Sequence, residues 1–262
     1  MGVKTRRKQD MNYQIIEINE NNLSEYPQII CFINPKHEYY NLKIDWLKER
    51  FKEGLKIKLL QTENDHKIAG FIEYVPGAYA WRSVDAGGYL FIHCIWVNPN
   101  KNKNHGLGSA LVNEVIKDAK MLKANGVAVI TSDGSFIAKK DLFIKNGFSL
   151  VEEKDKFQLL INNFNTESTL PRFTSNENIL KEYQGWHIIY SRQCPWVARF
   201  IEEVKPIIKE QGLGMNFHEI TEAKKAQNAP SVYAVFNLIK DGKLLADRYI
   251  STTRFLNILK KS

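Results

Sequence analysis

The chain has 262 residues, 44% hydrophobic and 25% charged, a balance that excludes an intrinsically disordered protein. Its formal charge of +8 is spread among acidic residues, as in Lys48-Glu49-Arg50 and Glu152-Glu153-Lys154, so a nucleic-acid-binding stripe is not expected, while an anionic ligand would gain from the field. No apolar run approaches the ~18 residues of a membrane span, and three widely spaced cysteines (Cys31, Cys94, Cys194) exclude a disulfide framework and point to a reducing cytoplasm.

The first ten residues are basic but have no apolar stretch behind them, so they are not a secretory signal, and Met11 is a candidate for the original start. Residues 1–12 are expected to be a flexible basic extension. Tyr13 to Ile18 reads as a strand, and two helical stretches follow over 24–33 and 40–53, the second carrying Leu42, Trp46, Leu47, Lys48 and Phe51. Ile57–Gln61 and Lys67–Val75 read as a hairpin around the polar turn at 63–66. After a loop with Tyr79 and Trp81, the run Tyr89–Val97 is apolar throughout, the pattern of a buried central strand.

Asn98-Pro99 stops that strand, and a polar loop leads to Gly106-Leu107-Gly108-Ser109. An amphipathic helix starts there, with Leu111, Val112, Val115, Ile116, Ala119 and Leu122 on one side and Lys117, Asp118 and Lys120 on the other. Asn125-Gly126 ends it. A short strand (Val127–Thr131), a helix (Phe136–Asn146) and two strands near 149–153 and 157–161 come next. Residues 162–184 lose all periodicity and read as a linker. Beyond them a second pattern begins: a strand at Trp186–Tyr190, Cys194-Pro195 and a helix with Val197, Phe200, Ile201, Val204 and Ile208 on one face. Strands are then expected at Met215–Ile220, Val232–Ile239 and Lys243–Tyr249, the last two about the turn Asp241-Gly242, with a closing helix. The reading is two α/β domains.

The segment Tyr89–Glu114 carries the most chemistry. A helix's first turn leaves amide N–H groups unbonded, its dipole favours anions, and glycines at 106 and 108 admit a pyrophosphate to the backbone. Lys101 and Lys103 add charge. The loop is neither a Rossmann fingerprint, since no third glycine follows, nor a Walker loop, since no Gly-Lys-Ser/Thr does.

Lys103-Asn104-His105-Gly106-Leu107-Gly108 resembles the Arg/Gln-x-x-Gly-x-Gly/Ala loop of the GNAT (Gcn5-related N-acetyltransferase) superfamily, with lysine in the usual arginine or glutamine place. Lys145-Asn146-Gly147-Phe148-Ser149 looks like the Gly-Phe junction of the same family, and the order of elements over 13–161 agrees with it. The resemblance implies a mixed sheet with flanking helices. It also implies acetyl-CoA as co-substrate, without a metal, and direct attack of a small-molecule or peptide amine on the thioester. Ile95, Trp96 and Val97 would offer backbone groups to the pantetheine arm. Lys103, Asn104, His105, Gly106, Leu107, Gly108 and Ser109 would hold the pyrophosphate.

His93, four residues before Val97, matches a position where relatives that acetylate arylalkylamines look to carry a histidine acting as base or proton wire; a core histidine satisfied by a hydrogen bond is the alternative. Glu73 on the preceding strand is the second base candidate. Phe143 stands where many relatives have a proton-donating tyrosine, which leaves the thiolate, of pKa ~8.5, to depart unaided. Cys31 and Cys94 read as small core residues, and Tyr79, Trp81 and Trp96 as packing or pocket aromatics.

Tyr190-Ser191-Arg192-Gln193-Cys194-Pro195-Trp196-Val197 resembles the glutaredoxin active-site segment, with Val197 in place of the second cysteine. Ala229-Pro230-Ser231-Val232 looks like the cis-proline element of thioredoxin-like folds. A GNAT domain followed by such a module is the layout of the YoaP-like acetyltransferases, which the whole chain resembles. The expectation is a GNAT domain over 13–161, a linker over 162–184 and a smaller thioredoxin-like α/β domain over 185–262. Cys194 is either a thiol activated by the helix N-terminus or part of a docking module. Alternative functions are a non-catalytic acyl-CoA sensor and a monothiol redox protein using Cys194. No nucleic-acid or membrane partner is expected, and a homodimer is among the allowed assemblies.

Overall fold

A computed structural model describes residues 12–27, 34–98, 106–134, 137–174 and 177–261. Seven strands form the main sheet: β1 (Tyr13–Ile18), β2 (Lys56–Thr62), β3 (Ile68–Pro76), β5 (Tyr89–Val97), β6 (Gly126–Ser132), β7 (Ser149–Lys154) and β8 (Phe157–Asn163). Their order is β1-β2-β3-β5-β6-β8-β7. Only β5 and β6 run parallel among these neighbours; the other pairs are antiparallel. Short turns join the antiparallel neighbours β2–β3 and β7–β8, while the parallel pair needs a crossover. That crossover is α2 (Leu107–Met121). It presses Leu107, Leu111, Val112, Val115 and Ala119 onto the sheet, as its period requires.

Asp118 departs from the pattern. Expected on the solvated side, it is buried, accepts a 2.5 Å hydrogen bond from Tyr74 Oη and lies between Lys56 and Lys58. These ions clamp α2 to the strands beneath it.

The opposite face of the sheet takes α1 (Glu38–Lys52). Its buried stripe is Tyr40, Lys43, Trp46, Leu47 and Arg50 rather than the one through Leu42, Lys48 and Phe51. Two cations sit inward because aromatic rings cover them: Lys43 Nζ lies 4.0 Å from the Trp46 ring centre and Arg50 Cζ 5.0 Å from that of Trp81. Of the helix expected over 24–33, a single 3₁₀ turn at Leu23–Glu25 is present, and residues 28–33 lie outside the described set. The helix expected over 136–146 is shorter, α3 (Lys140–Ile144). Ile137 and Ala138 ahead of it are non-helical.

The second module has α4 (Pro195–Glu210), α5 (Ala223–Gln227) and α6 (Thr252–Leu259) around four strands, β10 (Trp186–Tyr190), β11 (Met215–Glu219), β12 (Phe236–Lys240) and β13 (Lys243–Ala246). Their order is β11-β10-β12-β13, with β10 and β11 parallel and the others antiparallel. β12 starts four residues later than expected, because Ala234 takes a left-handed φ of 62° and turns the chain. No cis peptide is present among the described residues, so the Ala229–Pro230 bond is trans and the cis-proline expectation fails.

Nor does the chain between the modules hang free. Within it, β9 (Arg172–Phe173) pairs with β4 (Val84–Asp85). Thr174 Oγ1 donates to Gln227 O, and Ser83 Oγ donates to Ser231 O at 2.7 Å. One cluster of buried apolar residues runs from Ile18 and Phe71 through to Ile220 and Val235, so the modules share a core.

Candidate active site

Two irregularities of the sheet create the site. Along β3 and β5 the register slips, so that Glu73 faces Cys94 and Tyr74 faces Ile92, leaving His93 as the extra residue. Such a bulge twists the strand and re-aims its side chains. On its other side β5 pairs with β6 only from Tyr89 to Ile92, although it runs on to Val97. The two parallel strands therefore part where Ile95, Trp96 and Val97 stand.

Beside the parted strands lies a cavity of about 460 Å³ between the two modules. Phe71, Glu73, Cys94, Ile95 and Trp96 line it from β3 and β5, with Ile137 and Ala138 from beyond β6. The second module supplies Gln193, Cys194, Trp196, Tyr233, Arg248 and Tyr249. Of the aromatics singled out in the sequence, Trp96 is on this wall, Trp81 is fully buried and Tyr79 is 44% exposed.

Glu73 is the polar centre of the wall, only 3% exposed. Its Oε2 accepts from Lys43 Nζ at 2.8 Å and its Oε1 from Gln193 Nε2 at 3.1 Å. His93 Nδ1 lies 3.3 Å from Oε1. Burial pushes this carboxyl up, but Lys43 and His93 more than reverse it and hold it well below the ordinary carboxylate range. Arg82 closes the network: it donates to Trp81 O and Gln193 Oε1, bonds His93 O at 3.0 Å, and stacks 4.0 Å from the Tyr233 ring centre.

His93 does not stand free in the cavity, contrary to the expectation of an available base. Its side chain is enclosed behind Glu73, and Nε2 accepts the Trp81 backbone N–H at 2.9 Å. That bond uses the lone pair and puts the remaining proton on Nδ1, toward Glu73. Burial lowers its pKa to about 4, against the pull of Glu73, so the ring is neutral at pH 7.

The helix start has the features expected of an anion cradle. Gly106 has φ 75°, a conformation that favours glycine, and nothing stands within 4 Å of where a Cβ would be. No side chain caps the first turn of α2. A Cβ on Gly108 would lie 3.2 Å from Leu142 and 3.9 Å from Val97 Cγ2, so this turn adjoins the end of β5. Leu107 is buried, and Ser109 Oγ accepts from Asn146 Nδ2 at 3.0 Å. Lys101, Lys103, Asn104 and His105 lie outside the described residues.

Phe143, expected to leave the proton-donor place vacant, is fully buried and edge-on to Phe148 at 5.4 Å. Cys194 does stand at the start of α4, but burial raises its thiol pKa, with the Val197 and Trp196 amides only partly opposing. It is not an activated thiolate. Among the described residues no group of three or more His, Cys, Asp and Glu is placed to hold a metal, and no helix is long and apolar enough to cross a membrane. Lys43, Arg82, Gln193, Tyr233 and Arg248 were not legible as site residues. They come from five separate stretches of chain; Gln193 lies within the Tyr190–Val197 motif and Tyr233 directly after Ala229–Val232, and neither motif marks them as site residues.

A parted β5/β6 pair beside a glycine-led helix agrees with the family match over residues 17–148, described as the acetyltransferase (GNAT) family. The chain belongs to that family: it is an N-acetyltransferase with acetyl-CoA as its acetyl donor. It is also 28% identical over 251 residues to the Bacillus subtilis (strain 168) protein described as "Uncharacterized N-acetyltransferase YoaP", covering 93% of this chain and 97% of that one. Solved structures similar to it include an acetyltransferase of the GNAT family from Staphylococcus aureus Mu50, at 19% identity and TM-score 0.43, covering 58% of this chain and 99% of that one. Another is PaiA N-acetyltransferase from Thermoplasma acidophilum in complex with coenzyme A, at 13% identity and TM-score 0.39, covering 59% and 100%.

Proposed function

We propose that the chain transfers the acetyl group of acetyl-CoA to the amine of a small molecule held in the chamber between its two modules. The carrying observation is that the parted strands β5 and β6 open onto a chamber walled on its far side by the second module. In this reading the amides of Gly106, Leu107, Gly108 and Ser109 hold the pyrophosphate, with Lys103, Asn104 and His105 in the same loop, and Ile95, Trp96 and Val97 hold the pantetheine arm. When bound, acetyl-CoA supplies an activated acyl carbonyl and a thiolate leaving group. The strand order of the second module supports a thioredoxin-like fold. Its raised thiol favours a wall of the chamber over a redox centre.

The chain's own residues orient the acceptor. Glu73 Oε2 accepts only from Lys43 among the described partners, which leaves it acceptor capacity for an amine N–H. His93 is a positioning residue in this scheme, fixing Glu73 and the bulge. The wall groups whose pKa is displaced all move away from neutrality: Glu73 down, and Cys194, Tyr233 and Tyr249 up. The neutral amine is therefore drawn from solution rather than made by a side chain poised near pH 7.

Gly108→Glu tests the cradle, since it places a carboxylate in the first turn of α2 against Leu142. Coenzyme A affinity by calorimetry should fall by ~10²-fold or more. An unchanged affinity refutes this placement of the pyrophosphate.

A further inference from the structure

Three cations line the chamber, and two are already matched. Lys43 is paired with Glu73, and Arg82 is spent on Trp81 O, Gln193, His93 O and the Tyr233 ring. Arg248 is different. It makes no hydrogen bond or ion pair among the described residues, and its Nη1 is enclosed without a partner. The neighbouring carboxylate, Asp247, is turned away to Lys156 of the first module. A guanidinium on a cavity wall without a carboxylate partner is suited to holding the anionic group of a ligand.

The guanidinium rests against Gly134, where an added Cβ would have to displace Nη1 and Cζ. Gly134 belongs to the segment leading from β6 to Ile137 and Ala138 on the chamber wall. The guanidinium thus bridges the two modules at the edge of the chamber. Its planar fork of donors matches a carboxylate.

The remaining wall defines the body of the ligand. Phe71, Trp96, Trp196, Tyr233 and Tyr249 give it aromatic faces among aliphatic ones such as Ile57 and Ile95. Its single carboxylate is Glu73, already paired with Lys43. A polyamine or an aminoglycoside brings several ammonium groups and would meet no free anion here. An amine with one carboxylate and an apolar body would satisfy every feature.

Building on the acetyl-transfer reading, we infer that the acceptor is a free amino acid with an aromatic or large apolar side chain, its carboxylate held by Arg248 and its amine directed toward Glu73. The test is steady-state turnover by the full chain with acetyl-CoA. The acceptors are L-phenylalanine, L-tryptophan and L-leucine, their decarboxylated counterparts phenethylamine, tryptamine and isopentylamine, and spermidine. The wild type should favour the amino acids in kcat/KM by about 10–100-fold, the range for a charge-assisted contact. Arg248→Gln should bring the ratio of each amino acid to its amine near one, and Arg248→Lys should retain part of it. Gly134→Ala, which adds no charge but displaces the guanidinium, should lower the same ratio. Coenzyme A affinity by calorimetry reports that each variant is folded. Amines favoured over amino acids by the wild type, a ratio unmoved by Arg248→Gln, or turnover of spermidine alone would overturn the substrate class and leave acetyl transfer standing. So would turnover of the amines with no turnover of any amino acid. Failure of coenzyme A to bind would instead overturn the acetyl-transfer reading.

Discussion

Replacing Glu73 by leucine tests whether the site has the buried electrostatics described above. The substitution removes the acceptor from Lys43 and Gln193 and the carboxylate that faces His93. Lys43 is 4% exposed and has no other carboxylate partner among the described residues, so its ammonium is left uncompensated. Stranding one member of a buried pair costs about 3–5 kcal/mol. The Trp46 ring, 4.0 Å away, returns about 0.5–2 kcal/mol of cation–π attraction that is already present in the parent and so cannot offset the loss. At roughly 2–4 °C per kcal/mol for a chain of this size, the midpoint of thermal unfolding should fall by roughly 6–20 °C. Urea unfolding followed by tryptophan fluorescence gives the free energy, and the shared core favours a single transition. Lys43→Met combined with Glu73→Leu removes both charges, and should recover at least ~2 kcal/mol relative to Glu73→Leu. A loss below ~1 kcal/mol for the single variant, or a double variant no more stable than it, would refute a desolvated Lys43–Glu73 pair.

Acid should destabilise the fold earlier than carboxylate titration alone. With the folded pKa of His93 lowered to about 4 from 6.5, the unfolded chain binds the proton first, so stability present at neutral pH is lost at about 1.4 kcal/mol per unit as pH falls from 6.5 to 4. Glu73, also lowered, extends the loss below the ordinary carboxylate range; thermal midpoints against pH should show this limb, and His93→Asn should flatten its upper part, whereas an unchanged limb would remove His93 as its source. In catalysis, kcat/KM should climb about tenfold per pH unit from 6 toward an amine pKa of ~10. A plateau beginning near pH 6–7 would reveal a side-chain base and refute the supply of neutral amine from solution.

The sheet was legible because its signals are local. Alternation and turn residues gave β1 to β3, the apolar run gave β5, and the glycines at 106 and 108 gave the start of α2. The chemistry of the site was not, because it depends on a one-residue bulge. Pairing Glu73 with Cys94 and Tyr74 with Ile92 turns His93 into the extra residue, and nothing in the sequence of β5 announces that slip. The inward face of α1 was misjudged for a related reason. Lys43 and Arg50 are polar by composition yet buried, and their places are set by Trp46, Trp81 and Glu73 from elsewhere in the chain. Residues 162–184 looked like a linker because β9 is two residues long and its partner β4 equally short. Periodicity cannot register either.

The second module's segment Gln193-Cys194-Pro195-Trp196-Val197 has the form of a redox motif, yet its setting argues for a different use. Val197, in the place of a resolving cysteine, is 1% exposed and belongs to the apolar core of the module. Cys194 and Trp196 face the chamber rather than open solvent, and the residue before them is committed to the other module, Gln193 accepting from Arg82 and donating to Glu73. A protein disulfide would have to displace that contact to reach the sulfur. Docking thus turns a surface that could receive a thiol partner into one wall of an enclosed site, and burial holds the thiol in its protonated form. The Gln193 amide serves to lock Glu73 in place between the two modules.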